Sequence, residues 1–196
     1  MTHLFLLILI TMIHTLSIIH RFYEPGSQLC ELLVKHSTQV AELAKKLAER
    51  LIAQHTPVDI DFVVEAAMLH DIGIIHTNAP GIYCNGTEPY ICHGVIGRAM
   101  LDDIGLFRHA LVCERHTGAG LALKEIEQRQ LPLPHRDLLP VSIEEKLVCY
   151  ADKFFSKSHP DDDTRTLDIA RSKLAKFGPD TLARFDQMAA LFGPPQ

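Results

Sequence analysis

The chain has 196 residues, 47% hydrophobic and 22% charged, with a formal net charge of -5 and a pI near 6.2. That length suits one globular domain, since a domain of this size buries roughly 70% of the surface its unfolded chain exposes. The mild acidity argues against a coat for nucleic acid, which carries a basic face, and 11 glycines with 11 prolines exclude a collagenous or low-complexity chain.

Residues 1–20 form an apolar N-terminal segment. The run from Leu4 to Ile19 is interrupted by Thr11, His14, Thr15 and Ser17, and it is shorter than the roughly 20 apolar residues a membrane-spanning helix needs. The preceding Met-Thr-His carries no lysine or arginine, and no small-residue cleavage site follows, as an export signal requires. An extra N-terminal helix, or translation starting at Met12, fits these flanks better than an anchor or a signal peptide. Residues 21–196 read as one domain.

Helical periodicity dominates that domain. From Ser27 to Ala53 apolar residues recur at Leu29, Leu32, Leu33, Val40, Leu43, Leu47 and Leu51 with charges between them, and His55-Thr56-Pro57 breaks the pattern. Asp59 offers an N-cap for a helix from Ile60 to His70, with Gly73 placed as its stop. Residues 74–92 read as a loop long enough to be functional, with a loop packed on itself as the other reading. Helices follow over His93 to Ile104 and Leu106 to His116, then a glycine-rich and proline-rich stretch from Thr117 to Pro140. Ser142, with Glu145 three residues on, forms a capping box for a helix through Lys157. The acidic run Asp161-Asp162-Asp163 caps a helix ending near Gly178, and Asp180 opens a last one to Phe192, stopped by Gly193. With no period-2 segment, the expected class is all-α. The two helices after Pro160 either complete the bundle or make a subunit contact, so a homo-oligomer stays open.

Five cysteines (Cys30, Cys84, Cys92, Cys113, Cys149) form an odd set without a C-x-x-C pair. They imply neither a disulfide framework nor a zinc ribbon, and the default setting is reducing and cytoplasmic. Twelve histidines call for an account. His70 and Asp71 end the strongly apolar FVVEAAMLHD, where two polar groups are costly to bury unless satisfied. A divalent cation between imidazole and carboxylate would satisfy them, as would ordinary helix capping. His36 lies among apolar neighbours in the first helix, and Asp152 lies within LVCYADKFF.

The pattern H…HD…D on separate helices, with the literal string His70-Asp71-Ile72-Gly73, resembles the HD superfamily of metal-dependent phosphohydrolases, HDIG subgroup, over roughly residues 36–156. The resemblance implies an all-α HD-domain helical bundle. It implies that His36, His70, Asp71 and Asp152 hold one divalent transition metal, and that His93 and His116, with Asp71 bridging, hold a second. Mixed nitrogen and oxygen ligands do not separate manganese, iron, cobalt, nickel and zinc. The implied activity is hydrolysis of a small phosphate ester, a phosphomonoester or nucleotide, by a metal-activated water. Asp71 and Arg98 are then the expected catalytic residues, and Arg98, Lys153, His76 and Tyr83 the expected substrate contacts. Lys35, Arg115, Asn78, Tyr90 and Glu114 neighbour the same motifs. The partner expected is a small phosphorylated molecule, with no nucleic-acid polymer and no membrane. Ile74 stands where the cyclic-dinucleotide diesterases of the superfamily carry lysine, and the chain has no G-Y-P triplet. Two other outcomes of the same resemblance are a di-iron oxygenase and a non-catalytic nucleotide-binding domain.

Overall fold

The computed structural model describes residues 15–159 and 164–195. Most of the apolar opening, including Met12, and the acidic run at 161–163 lie outside the described residues. The end of the opening segment is helical over residues 15–19, where Ile18 and Ile19 are buried in the core. Among the described residues no helix is long and apolar enough to cross a membrane.

The main core is built on α1 (Gln28–Ala53). Ser27 caps it by accepting from Cys30 N, and its apolar stripe, including Leu33, Val40, Ala44 and Leu47, is fully buried. Each such leucine contributes about 1.5–3 kcal/mol by leaving water. Against α1 packs α2 (Ile60–Leu69), capped by Asp59, whose side chain accepts from Phe62 N as the sequence predicts. The chain then tightens into a 3-10 segment, Ile72–His76.

Gly73 does not stop the helix in a left-handed turn. A Cβ there would lie 2.2 Å from the His93 carbonyl oxygen and 2.4 Å from Gly97 N, so its role is close approach to the next helix. That helix is α3 (His93–Asp102), which packs on α4 (Phe107–Arg115). Gly94 sits against the Cys113 carbonyl in the same way.

The loop between Ile74 and Cys92 holds a three-stranded sheet in the order β2-β1-β3. β1 (Thr77–Ala79) pairs antiparallel with β2 (Cys84–Asn85) and parallel with β3 (Glu88–Pro89). Strands this short leave no period-2 signature.

Three further departures from the sequence reading have local causes. A short helix, α5 (Leu123–Gln128), forms inside the glycine- and proline-rich stretch. It is anchored by Glu125, which accepts from Ala122 N, from the Thr181 hydroxyl and from the Arg184 guanidinium. The helix opened by Ser142, α6 (Ile143–Asp152), ends five residues before the expected Lys157. Its trailing backbone is taken over by Arg165, which donates to the carbonyls of Phe154 and Phe155. Thr166, not the acidic run, caps α7 (Leu167–Ala175) by accepting from Ile169 N.

The last helix, α8 (Pro179–Phe192), starts with proline at its first position rather than at Asp180, and it ends at Gly193 as expected. Its Phe185 and Phe192 bury against Tyr150 of α6, with ring centroids 5.2 and 5.5 Å apart, so the C-terminal helices complete the bundle. The architecture is an all-α bundle with one small sheet set into a loop.

Candidate metal centre

Apart from His36, which sits mid-helix on α1, the residues of the H…HD…D pattern and its two extra histidines stand at helix ends. His70 follows α2, Asp71 opens the 3-10 segment, His93 begins α3, His116 follows α4 and Asp152 ends α6. All six are buried. Helix ends carry backbone groups without intrahelical partners, and the protein uses them to aim its imidazoles. His70 Nδ1 donates to Ala67 O at 2.6 Å, His93 Nδ1 to Tyr90 O at 2.7 Å and His116 Nδ1 to Cys113 O at 2.8 Å. A carbonyl can only accept, so each bond places a ring proton on Nδ1 and turns Nε2 inward.

Those Nε2 atoms, together with that of His36, converge on Asp71. Its Oδ2 lies 3.3 Å from His36 Nε2 and 3.1 Å from His70 Nε2. Its Oδ1 lies 3.4 Å from both His93 Nε2 and His116 Nε2. Asp152 Oδ1 closes the first set, 3.0 Å from His36 Nε2 and 3.5 Å from His70 Nε2. Two donor groups result, His36–His70–Asp71–Asp152 and Asp71–His93–His116, each with its ligand atoms within 4.8 Å of one another. Asp71 belongs to both.

The donor set fits divalent cations on an internal ground. His93 Nε2 and His116 Nε2 face each other at 3.0 Å with both ring protons committed elsewhere. Both carboxylate oxygens of Asp71 and Nε2 of His70 are buried without a hydrogen bond of acceptable geometry. Lys157 answers Oδ2, but Oδ1 and the facing Nε2 atoms of His93 and His116 are converging acceptors in a dry interior, costly unless a cation stands among them.

Electrostatics tie the cluster together. Burial pushes the Asp71 carboxyl up, but the charges of His70 and Lys157 outweigh it and hold the group well below the usual range. Asp152 is held low in the same way by Lys153 and Lys157. Burial pulls His70 down, and Asp71 together with Asp152 more than reverses this, to about 9. Burial and the neighbouring His116 press His93 down to about 3. Lys157 keeps its proton, since the attraction of Asp71 overcomes its burial.

Lys157 is the residue that sequence reasoning missed. Its Nζ lies 2.6 Å from Asp71 Oδ2 and 3.8 Å from Asp152 Oδ1. An α6 running through Lys157 would have left this ammonium on the helix, and the early end at Asp152 folds it back. The signal available was FFSKSHP, in which two serines and a proline flank the lysine and argue for a helix end before it. A second brace went unread. The buried Tyr23 hydroxyl donates to Ile72 O at 2.7 Å and accepts from Ile75 N at 3.1 Å, fixing the turn that presents Asp71.

The remaining expected residues divide. Lys153 reaches the cluster, donating to Asp152 Oδ2 at 2.6 Å and to His116 O at 3.0 Å. Tyr90 stacks on His93, ring centroids 4.8 Å apart, and burial pushes its hydroxyl up to about 12. Arg98 turns instead to Asp102 and to the buried Glu114, which Arg136 also grips. Arg115 pairs with Glu145. His76 and Tyr83 are exposed on the loop, Tyr83 with a left-handed φ of 63°. Buried thiols fill gaps around the centre: Cys113 donates to Leu69 O and Cys149 to His116 O.

Two cavities open beside the lysines that contact the cluster. One of about 430 Å³ is lined by Lys157 together with Gly81, Tyr90, Ser156 and Arg165. The other, of about 390 Å³, is lined by Lys153 and shares Tyr90 and Arg165 with the first.

A protein of Methanocaldococcus jannaschii, MJ0778, is 37% identical over 123 residues, covering 62% of this chain and 65% of that protein. Two proteins named tRNA (cytidine(56)-2'-O)-methyltransferase, from Picrophilus torridus and Thermoplasma volcanium, are each 33% identical over 126 residues, covering 64% of this chain and 32% of theirs. The shared stretch thus spans less than two thirds of the first relative and about a third of the other two. No solved structure matches. The family description that matches, over residues 33–156, is the HD domain, and with more than half its length inside that match the chain belongs to the HD-domain family.

Proposed function

We propose that the protein is a metal-dependent phosphohydrolase that cleaves a small phosphate ester, a phosphomonoester or nucleotide. The observation that carries this reading is Asp71: buried, without a hydrogen bond of acceptable geometry at either oxygen, and facing one histidine set with Oδ2 and the other with Oδ1. His36, His70, Asp71 and Asp152 would hold one divalent cation, and Asp71, His93 and His116 a second. Such cations, when bound, lower the pKa of a coordinated water toward about 7 and neutralise charge on phosphoryl oxygens.

The chain's own residues supply the rest, which for phosphoryl transfer is positioning and charge stabilisation. Lys157 Nζ and Lys153 Nζ each touch a carboxylate of the cluster, and each also lines a cavity. They set a cation at both approaches, ready for phosphoryl oxygens. Tyr90 stays protonated at neutral pH and donates its O–H to an oxygen of the bound ester. Arg98 acts at one remove: through Glu114 it braces α3 against α4, and so His93 against His116. The methyltransferase names attach to proteins about three times as long as the shared stretch, and they are not carried over.

The test is elemental analysis of protein purified without chelator under low oxygen, followed by phosphate release from a panel of esters with the metal found. Two equivalents of metal per chain with ester hydrolysis support the reading. One equivalent with hydrolysis confines catalysis to the four-residue group. Oxygen consumption by an iron-loaded protein that releases no phosphate would overturn the hydrolase in favour of an oxygenase. Nucleotide binding without turnover would reduce the centre to a sensor.

A further inference from the structure

The cavity of about 390 Å³ beside Lys153 takes part of its lining from outside the stretch that matches the family. Its far wall comes from Arg165, from Leu174 of α7, from Phe177 and from Thr181 of α8, all beyond residue 156. Its near wall comes from the loop side, Ile91, and from the turn after His116, Thr117 and Gly118. Its volume lies within the range of small-molecule sites, roughly 300–1,000 Å³.

The lining combines two chemistries. Lys153 lines the chamber and its Nζ lies 2.6 Å from Asp152 Oδ2, which ties the chamber wall to the candidate metal centre. Ile91, Leu121, Leu174 and Phe177 supply apolar surface. Phe177 is 50% exposed, so its ring is accessible at the chamber. The Arg129 guanidinium, itself part of the chamber lining, stands over the Phe177 ring 5.5 Å from the centroid, so the wall pairs a cation with an aromatic face. Gly118, which lines the chamber, has a left-handed φ of +63° and open space where a side chain would be.

We propose that this chamber is the leaving-group site, and that the ester it takes carries a flat, apolar ring system that lies against Phe177 and Leu174 while its phosphoryl group meets Lys153. The inference rests on the phosphohydrolase reading for its phosphoryl end alone. The ring end stands on the chamber. Small sugar or glycerol phosphates would leave the apolar wall unused.

The experiment measures binding by calorimetry, independently of turnover. The probe is 1-naphthylmethylphosphonate, whose P–C bond a phosphohydrolase does not cleave, compared with methylphosphonate on the protein as purified. The naphthyl probe should bind at least about tenfold tighter, as burial of an aromatic face predicts. Phe177→Ala, a change at a half-exposed position, should erase most of that difference while leaving methylphosphonate binding and the melting temperature unchanged. Displacement of the probe by adenosine would identify the ring as a nucleobase; retention would identify it as a carbocyclic aryl group. Equal binding of the two phosphonates, or a preference that survives Phe177→Ala, overturns the chamber assignment. Its failure is separable from that of the hydrolase reading. A Phe177-dependent naphthyl preference without phosphate release from any ester leaves the chamber standing and removes the hydrolase. Ester hydrolysis that is indifferent to the ring and to Phe177 does the reverse.

Discussion

Asp71 and Lys157 define what can be tested residue by residue. Asp71→Ala removes the carboxylate common to both donor groups. It should abolish metal binding and hydrolysis together, while far-ultraviolet circular dichroism stays near that of the parent because no helix depends on it; full activity in this variant would end the mechanism. Lys157 predicts an opposite pair of effects. Its ammonium, 2.6 Å from Asp71 Oδ2, competes electrostatically with any ion at the first group. Lys157→Met should therefore tighten metal binding by about tenfold in a chelator-competition titration. The same change should lower kcat/KM by about a hundredfold, since a cation aimed at the phosphoryl oxygens is lost. Weaker metal binding in Lys157→Met would show that the lysine supports the cage instead. At this scale the sequence was legible where residues are tied to a motif: His36, His70, Asp71, His93, His116 and Asp152 do come together. It was not legible where contact depends on how a helix ends. Arg98 shares a helix with His93 yet faces Glu114, and Lys157 reaches Asp71 only because α6 stops at Asp152.

At the scale of elements, the centre depends on three segments pressed closer than side chains allow. Gly73 brings the 3-10 segment onto the first turn of α3, and Gly94 brings α3 onto α4. Gly73→Ala would drive its methyl group against the His93 carbonyl oxygen and Gly97 N, both backbone atoms with little room to yield. Overpacking of this kind costs about 1–3 kcal/mol, which for a chain of this length lowers Tm by roughly 2–12 °C. Because the clash falls at His93, the second donor group should weaken first, seen as a fall in metal stoichiometry before loss of the tighter ion. Gly81→Ala is the matched control: its position has open space and no left-handed φ, so Tm should hold. An unchanged Tm in Gly73→Ala would remove close packing as the reason for glycine there. Helix starts were readable where caps are local, as Asp59 and Ser142 demonstrate. The role of Gly73 was not readable, since a close approach is set by a helix some 20 residues away and a stop signal looks the same in sequence. The helix α5 escaped for a related reason. It is held by Glu125 reaching Thr181 and Arg184, partners that only the folded bundle supplies.

For the whole molecule, the cluster places opposing protonation demands on folding, and these fix how the metal-free protein responds to pH. His93 is pressed down to about 3 in the fold, by burial and by His116, from an ordinary value of 6.5. A group depressed in the folded state contributes stability above its unfolded pKa and loses it as pH falls, so this contribution declines from about pH 6.5 downward. His116 is shifted in the same direction by burial and adds to the decline. His70 moves the other way, to about 9, because Asp71 and Asp152 outweigh its burial. A raised group contributes fully below its unfolded pKa, and its contribution is lost between pH 6.5 and about 9. The chelated protein should therefore melt highest near pH 6.5 and lose stability on both sides. A bound divalent ion reverses the alkaline limb, since it replaces the proton that His70 shares with Asp71 and needs the imidazoles neutral. The gap in Tm between metal-loaded and chelated protein should widen steadily from pH 6 to pH 9, as thermal melts at fixed ionic strength would read. A constant gap across that range would mean that His70 carries no proton in the metal-free fold, and that Lys157 alone balances the charge of Asp71.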